Sequence, residues 1–195
     1  MKLIGRTDIK AAKTTLENGG ILAVPTETVM GLAVSIKSEE AINKLIEFKK
    51  RAIGSGKVFT IMVASVDEIK KYAFLSDEQL TFARHYFPGE LTLILEKNPN
   101  FNHPYFDHFS TIGIRIPAHS YMLKLLKKTG PLLVTSANPR GEMPCMNDEE
   151  VKGRLPEIKA CVKGRAGGSL PSTIIDGTGS MPRQVRAGGL LIVHY

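Results

Sequence analysis

The stretch Pro131-Leu-Leu-Val-Thr-Ser-Ala-Asn138 begins as an apolar run and ends in hydroxyl and amide side chains. Residues 131–135 have the length and composition of a buried strand. Ligands of open α/β sheets collect at the carboxyl ends of such strands, so Ser136 and Asn138 are candidate ligand-binding residues. An Asx turn or a hairpin that closes on Pro139 is an alternative explanation of the same residues.

Helical and extended patterns alternate on both sides of this stretch. Helices are predicted after the cap residues Thr7-Asp8, Ser38, Ser65 (with Glu68 as a capping box) and Ser76, and over residues 119–128. Strands are predicted over residues 21–24, 32–36, 58–64, 91–95, 111–116, 131–135, 172–176, 184–187 and 190–195. Because no repeat or linker interrupts the pattern, we expect a single domain over residues 1–195 with an α/β or α+β fold and a twisted sheet.

The composition restricts the class of protein. A chain of 195 residues with 43% hydrophobic content can bury one core. Cys145 and Cys161 are too few and too isolated for a disulfide framework or a zinc cluster, which fits a reducing compartment. Residues 1–10 lack an apolar segment of signal-peptide length, and no apolar run reaches membrane-spanning length. We therefore expect a cytoplasmic protein with no membrane partner.

The charge and one cationic cluster indicate an anionic partner. A net charge of +7 favours a phosphorylated small molecule or nucleic acid, although solubility alone explains a charge of this size equally well. Lys49, Lys50 and Arg51 end the predicted helix that begins at Ser38, and ammonium and guanidinium groups suit phosphate or carboxylate oxygens. Cations also stabilise the negative end of a helix dipole, which is the structural alternative. The following Ala-Ile-Gly-Ser-Gly-Lys (52–57) lacks the glycine spacing of a P-loop.

Two further segments carry candidate anion-binding groups. Residues 25–32, Pro-Thr-Glu-Thr-Val-Met-Gly-Leu, join two predicted strands and provide the hydroxyls of Thr26 and Thr28. Arg115 lies in an otherwise apolar strand, and strand alternation puts it on the face opposite Ile114. That face is either a cleft, where Arg115 would bind an anion, or solvated surface.

The C-terminal third adds polar candidates but no nucleophile. Ser172 and Thr173 follow a glycine-rich stretch and could donate hydroxyl groups to a phosphate, and Arg186 is a second cation in a predicted strand. Residues 103–108 contain histidine and aspartate, but their spacing matches no metal motif, so we predict no metal ligands in the protein. Covalent catalysis is disfavoured, because no serine or cysteine has a recognisable activating partner.

Six short motifs occur in a fixed order along the chain. They are residues 25–32, Lys49-x-Arg51, Ile-Gly-Ile-Arg-Ile-Pro (112–117), Ser136-Ala-Asn138, Pro-Ser-Thr-Ile-Ile-Asp (171–176) and Val-Arg-Ala-Gly (185–188). Over residues 7–189 the chain resembles the YrdC-like family, whose best-known members are threonylcarbamoyl-AMP synthases. The resemblance implies a twisted, mostly open mixed sheet with flanking helices around a basic concave cleft. It also implies a reaction of L-threonine, bicarbonate or CO2, and ATP that yields threonylcarbamoyl-AMP and pyrophosphate, with Mg²⁺, for threonylcarbamoylation of adenosine 37 in tRNA.

The resemblance further implies roles for individual residues. ATP would be bound by Lys49, Arg51, Ser136, Asn138, Ser172, Thr173 and Arg186, with Lys49 and Arg51 also catalytic. Threonine would be bound by Thr26, Thr28 and Arg115, the last through the threonine carboxylate. The 52–57 turn would shield the labile intermediate from water as a lid. The implied macromolecular partners are tRNA or double-stranded RNA and downstream threonylcarbamoyl-transferase proteins.

Three positions resemble a second branch of the family. Met30, Ala52 and Thr60 stand where synthases usually carry Tyr, Pro and His, and residues 59–62 look more like the YciO branch. The alternative is therefore a divergent YciO-like nucleotide- or RNA-binding protein without the synthase activity. Against RNA stacking, the one aromatic-rich loop, residues 101–109, contains no Lys or Arg among its aromatic side chains.

Overall fold

The computed structural model describes residues 1–50 and 59–192. The helices in this part of the chain are α1 (Ile9–Glu17), α2 (Glu39–Phe48), α3 (Val66–Ile69), α4 (Asp77–Tyr86), α5 (Ser120–Thr129) and α6 (Asp148–Arg154). Its strands are β1 (Lys2–Ile4), β2 (Leu22–Val24), β3 (Gly31–Ser35), β4 (Thr60–Met62), β5 (Leu91–Glu96), β6 (Thr111–Arg115), β7 (Leu132–Ser136), β8 (Ala160–Val162), β9 (Thr173–Asp176) and β10 (Arg183–Arg186). The lid proposed for residues 52–57 and the side chain of Arg51 lie outside the described residues.

The described strands form one mixed sheet. Their order is β1-β8-β2-β3-β7-β4-β6-β5-β9-β10. Near its centre, β7 pairs antiparallel with β3 (Gly31 opposite Ser136) and with β4 (Thr60 opposite Val134). Next to it, β4 pairs with β6 in parallel, and β5 pairs with β9 in parallel. The mixed open sheet confirms the predicted α/β fold class.

Side-chain alternation divides the core between the two faces of the sheet. In β7, Leu133 packs in the larger apolar cluster together with residues of α2, α3, α4 and α6. Leu132 and Val134 point to the opposite face, where they pack in a cluster with α1 and α5. Because strand side chains alternate, the side chains of β6 that oppose its buried isoleucines also lie on this α1/α5 face. The face accommodates the functional site described below.

The capping box predicted at Ser65 and Glu68 is wrong. The Ser65 side chain forms no capping hydrogen bond, and Glu68 Oε2 instead accepts from the backbone N–H of Ala64 at 3.4 Å. A complete capping box is found one helix later, where Ser76 Oγ accepts from Gln79 N and the Gln79 side chain accepts from Ser76 N. The Glu68 carboxylate thus bonds the residue before the N-cap, and the reciprocal pair of a capping box does not form.

Several elements differ from the sequence prediction. We did not predict β1, β8 and α6, and the strand predicted over 190–195 is absent at 190–192, while residues 193–195 lie outside the described residues. β1 and β8 have three residues each, which is too few for a readable alternation, and they pair across more than half of the chain. Within the described residues, no helix combines the length and the apolar character that crossing a membrane requires.

Candidate active site

An open cavity of about 1000 Å³ lies on the α1/α5 face of the sheet. Its lining includes residues from β3, β4, β5, β6, β7, β9 and β10 and from the turn after β7. The residues that we predicted from sequence and that line it are Thr26, Thr28, Lys49, Arg115, Ser136, Asn138, Ser172 and Arg186. The fold therefore gathers side chains from six separate motifs around one space.

Arg115 lies on the floor of the cavity, at the end of β6. It faces away from the buried Ile114, as alternation predicted, and is 5% exposed. Its Nη2 donates to Glu27 Oε1 at 2.7 Å and to Thr28 Oγ1 at 2.9 Å. The two acceptors hold the guanidinium in one orientation against the wall formed by residues 26–28.

The hydroxyl groups of Thr26 and Thr28 continue this network. Thr26 Oγ1 donates to Val29 O at 2.7 Å, so its one proton is used and it accepts from Thr28 Oγ1 at 2.9 Å. Thr28 Oγ1 in turn accepts from Arg115. This chain of hydrogen bonds runs from a buried cation to a backbone carbonyl, and it fixes both hydroxyl groups at the edge of the cavity.

A glycine pair holds the 26–28 segment from behind. Gly167 N donates to Thr26 O at 2.8 Å, and Gly168 N donates to Thr28 O at 3.0 Å. A Cβ atom at residue 168 would lie 2.9 Å from Glu27 O, which is closer than a side chain tolerates. The close approach of the two backbones therefore depends on glycine at this position.

Lys49 connects the end of α2 to the turn after β7. It caps α2, is 5% exposed, and its Nζ donates to Ser136 O (3.0 Å), Asn138 O (2.7 Å) and Asn138 Oδ1 (3.0 Å). Lys49 therefore lies at the negative end of the α2 dipole, where a cation stabilises the helix, and it also lines the cavity. The carbonyl and carboxamide oxygens that accept these hydrogen bonds hold the ammonium charge of Lys49 at this wall of the cavity.

The turn that begins at Ser136 is also bonded internally. Ser136 Oγ donates to Asn138 Oδ1 at 2.5 Å, and Asn138 Nδ2 donates to Pro139 O and to Glu142 O. Asn138 thus stabilises the turn through its Nδ2 donors, rather than through the side-chain acceptor of an Asx turn, while it lines the cavity. Its Oδ1 accepts from both Lys49 and Ser136, so these three polar groups form a preorganised cluster.

A second polar cluster lies at the β9 side. Arg186 donates to Ser172 O from Nε (3.1 Å) and from Nη2 (2.7 Å), and Nη2 also reaches Ser172 Oγ at 3.2 Å. Thr92 Oγ1 lies 2.8 Å from Ser172 Oγ. Thr173, by contrast, is fully buried and donates to Leu190 O, and it is not among the residues that line the cavity. In this structure its hydroxyl fixes the C-terminal segment.

The electrostatics of the cavity favour an anionic ligand. Partial burial lowers the pKa of Arg186, and the positive charge of Arg115 lowers it further. The two guanidinium groups therefore repel each other across the same space. A bound carboxylate or phosphate would relieve that repulsion.

Sequence reasoning missed several residues of the lining and its support. Arg140 and Glu142 line the cavity beside Lys50 of the predicted cationic cluster, and Arg140 Nη1 donates to Lys50 O at 3.2 Å. Glu27 was given no role although it lies between the two predicted threonines, because nothing in the sequence indicates its pairing with Arg115. For Arg140, the available signal was a charged residue close to the Ser136-Ala-Asn138 motif.

The aromatic loop and the cysteines have no place in this site. Phe106 is fully buried, and Tyr105 stacks on Phe59 with ring centroids 5.6 Å apart, so these rings belong to the core. Cys145 and Cys161 are buried free thiols, and burial raises the pKa of Cys161 to about 12. In the described part of the chain no group of three His, Cys, Asp or Glu side chains could hold a metal ion.

Comparisons with known proteins agree with the fold and the motifs. The Sua5/YciO/YrdC family model, described as telomere recombination, matches residues 14–188. A threonylcarbamoyl-AMP synthase of Vibrio campbellii is 34% identical over 167 residues, which cover 83% of this chain and 89% of that protein.

Solved structures give the same result. P. abyssi Sua5, crystallised with L-threonine, superposes with a TM-score of 0.88 at 28% identity and covers 97% of this chain. This chain spans 58% of that protein. E. coli YciO superposes with a TM-score of 0.85 at 26% identity, over 96% of this chain and 95% of its own. With its motifs in order and its fold shared, the chain belongs to the Sua5/YciO/YrdC family.

Proposed function

We propose that the protein is an L-threonylcarbamoyladenylate synthase that makes threonylcarbamoyl-AMP and pyrophosphate from L-threonine, bicarbonate or CO2, and ATP. The observation that carries this proposal is that the described wall of one cavity has a cationic side chain in three separate places, namely Arg115, Lys49 and Arg186. The synthase of V. campbellii and the threonine complex of P. abyssi Sua5 support it.

Threonine would bind at the Arg115 end of the cavity. The part of the Arg115 guanidinium that Glu27 and Thr28 leave open suits a carboxylate. Thr26 and Thr28 line the cavity beside it, and the Thr28 hydroxyl oxygen can accept one more hydrogen bond from the amino acid, whereas Thr26 Oγ1 already accepts from Thr28 N and Thr28 Oγ1. Because this end is largely buried, hydrogen bonds there discriminate strongly against ligands that lack a partner group.

ATP would extend between the two other polar clusters. Lys49, Ser136 and Asn138 would form one polar wall beside the phosphates, and Arg51 lies two residues after Lys49 in the sequence. Ser172 and Arg186 would contact the nucleotide from the β9 side. Three oxygens already accept from the three donors of Lys49 Nζ, so Lys49 would act on a phosphate through its fixed positive charge.

The reaction then needs positioning and charge stabilisation rather than a protein nucleophile. The threonine amine attacks the carbon of CO2 and loses a proton, which gives a carbamate. A carbamate oxygen attacks the α-phosphorus of ATP, the bond to the bridging oxygen of the β-phosphate breaks, and pyrophosphate leaves. Fixed cations at the phosphates stabilise the negative charge that develops on the leaving group.

Mg²⁺ would enter with ATP rather than occupy a protein site of its own. Glu142 is the one carboxylate among the described residues of the lining, and Mg²⁺ is commonly held by one or two carboxylates together with substrate phosphates. The residues present are compatible with that arrangement. The ion would supply charge neutralisation on the pyrophosphate.

The product implies partners that consume it. A mixed anhydride of a carbamate and a phosphate hydrolyses readily, so a transferase that modifies tRNA would receive it soon after release. We also propose that this chain contacts tRNA or double-stranded RNA directly, and its net charge of +7 supports this contact.

The experiment is an omission series with purified protein. We expect pyrophosphate release to require ATP, threonine and bicarbonate together, and to fall to background when any one is left out. Release with another amino acid in place of threonine would keep the chemistry and replace the substrate. Absence of release with ATP bound would contradict the proposal.

A YciO-like binding role is the second candidate. Met30 and Thr60 line the cavity at positions where synthases usually carry Tyr and His. This candidate predicts ATP binding without turnover, and RNA affinity whose logarithm falls linearly with the logarithm of salt concentration. RNA affinity that is unchanged by Arg51→Ala and Arg115→Ala would place any RNA outside the cavity.

A further inference from the structure

We infer that Glu27 is a positioning residue that aims Arg115 at the carboxylate of the amino-acid substrate, an inference that rests on the proposed function. Glu27 does not belong to the described lining of the cavity. It contacts Arg115 from behind, with side chains that are 12% and 6% exposed respectively. Its effect on the substrate would therefore pass through the guanidinium.

The contact is made through one nitrogen. Both hydrogens of Arg115 Nη2 are used, one by Glu27 Oε1 at 2.7 Å and one by Thr28 Oγ1 at 2.9 Å. Two fixed acceptors on the same nitrogen define the plane of the guanidinium as well as its position. Because Nε is buried, Nη1 is the guanidinium nitrogen that is left for a ligand.

A pair built only for stability would look different. Arginine and carboxylate usually pair through two parallel hydrogen bonds, which satisfy both carboxylate oxygens. Here Glu27 Oε2 and Arg115 Nε are both buried and have no hydrogen-bond partner within the described residues. Such unsatisfied groups are costly in a buried setting, and they are retained where a site needs a particular geometry.

Glu27 is itself held firmly enough to act as a reference point. The residues on either side of it, Thr26 and Thr28, accept backbone hydrogen bonds from Gly167 and Gly168. Because Gly168 lacks a Cβ atom, which would lie 2.9 Å from Glu27 O, the two backbones come close enough to form these hydrogen bonds. The backbone of residues 167–168 thus fixes the position of Glu27, and Glu27 in turn fixes the position of Arg115.

Two substitutions separate the position of the acceptor from its charge. Glu27→Gln keeps an oxygen acceptor at the same distance along the side chain and removes the charge. Glu27→Asp keeps the charge and withdraws the acceptor by one methylene group. If Glu27 acts by position, glutamine preserves threonine binding and aspartate does not.

The measurement is the Kd for threonine, by calorimetry, alongside the Kd for ATP. We expect Glu27→Asp to weaken threonine binding by more than about tenfold and Glu27→Gln by less than about threefold, since misplacement of a binding group by about 1 Å is expensive. The Kd for ATP should stay within about twofold in both, which also shows that the variants fold. Glu157→Gln, at an exposed position outside the cavity, is the matched control.

The possible outcomes are distinct. Equal loss in both variants, or preservation by aspartate and loss by glutamine, would overturn the positioning role in favour of charge compensation. If the Glu27 variants do not fold, a crystal structure of the wild-type protein with threonine tests the same point: the inference predicts that Glu27 Oε1 keeps its hydrogen bond to Arg115 Nη2 while the threonine carboxylate contacts Arg115, and a Glu27–Arg115 bond broken by threonine would overturn it. A wild-type protein that binds ATP but no threonine would overturn the proposed function itself, and the inference with it.

Discussion

Arg115 cannot be replaced by the other common cation. Lysine carries a single ammonium group and cannot contact Glu27, Thr28 and a substrate carboxylate in the planar geometry of the guanidinium. We expect Arg115→Lys to raise the KM for threonine by about 10- to 100-fold, which corresponds to the loss of one or two charge-assisted hydrogen bonds. The KM for ATP should change much less.

Steady-state pyrophosphate release at varied threonine and varied ATP checks this prediction. Arg84→Lys, on the helix α4 and outside the described lining, is the control for a general effect of the substitution. A KM for threonine equal to that of the wild type would remove Arg115 from the threonine site.

The sequence predicted the placement of single side chains well where a local rule applied. It predicted their contacts poorly where the interacting residues are far apart in the chain. Strand alternation correctly put Arg115 on the face opposite Ile114, but it left open whether that face was a cleft or solvated surface. Its partner Glu27 is 88 positions away in the chain, and only the fold brings the two together. Thr173 looked equivalent to Ser172 in the sequence, and both are buried, but Ser172, which precedes β9, lines the cavity, whereas Thr173, the first residue of β9, donates to Leu190 O.

The helix α5 begins after His119, an N-cap residue whose side chain can be protonated. His119 Nδ1 accepts from Met122 N, and burial lowers the pKa of His119 below 6.5, an effect that Glu27 opposes and Arg6 reinforces. In the window between the folded pKa and 6.5 the unfolded chain binds a proton that the folded chain does not. The contribution of His119 to the free energy of unfolding therefore rises with pH through this window and is fully present above it. It is lost as the pH falls through the window.

His119→Asn should remove this contribution to the pH dependence. Asparagine keeps a capping acceptor and does not titrate. We expect the free energy of unfolding of the variant to fall less than that of the wild type as the pH is lowered from 7.5 through the window below 6.5. Urea unfolding at several pH values measures it, and parallel curves for the two proteins would contradict the assignment.

Two glycines should respond to alanine with opposite signs. At Gly168 the new Cβ would lie 2.9 Å from Glu27 O and 3.0 Å from Thr28 O, so one backbone must move, at a cost of about 1–3 kcal/mol. At Gly153, inside α6, a Cβ meets nothing within 4 Å, and alanine should stabilise the helix by about 0.5–1 kcal/mol.

Urea midpoints of the two variants against the wild type measure the difference. Gly168→Ala should also weaken threonine binding, because it displaces the 26–28 segment, whereas Gly153→Ala should leave that binding unchanged. Equal stability of Gly168→Ala and the wild type would mean that the 167–168 backbone does not need its close approach.

The sequence predicted elements reliably where they had caps or several turns. Ser38 was a correct N-cap for α2, and its hydroxyl accepts from Ala41 N. The acidic first turn of α6 after Asn147 was an equally readable signal that we overlooked. β1 and β8 are stabilised by pairing with each other and with β2, which no local pattern encodes.

For the whole molecule, the central consequence of the fold is that one cavity receives groups from both halves of the chain. The six motifs predicted the family and which segments would meet. They did not predict that Lys49 would be held by the turn at Ser136 and Asn138, because that contact depends on how α2 packs beside β7. The charge of the cavity wall is thus a property of the assembled sheet.

The most direct test of the account follows the carbon of bicarbonate into a nucleotide product. The protein is incubated with ATP, threonine and ¹³C-bicarbonate, and the products are separated rapidly and weighed by mass spectrometry. The account predicts threonylcarbamoyl-AMP that is one mass unit heavier than with ordinary bicarbonate, formed together with pyrophosphate and greatly reduced in Arg115→Lys. ATP consumed without a labelled adenylate, or an adenylate that contains threonine and no label, would contradict it.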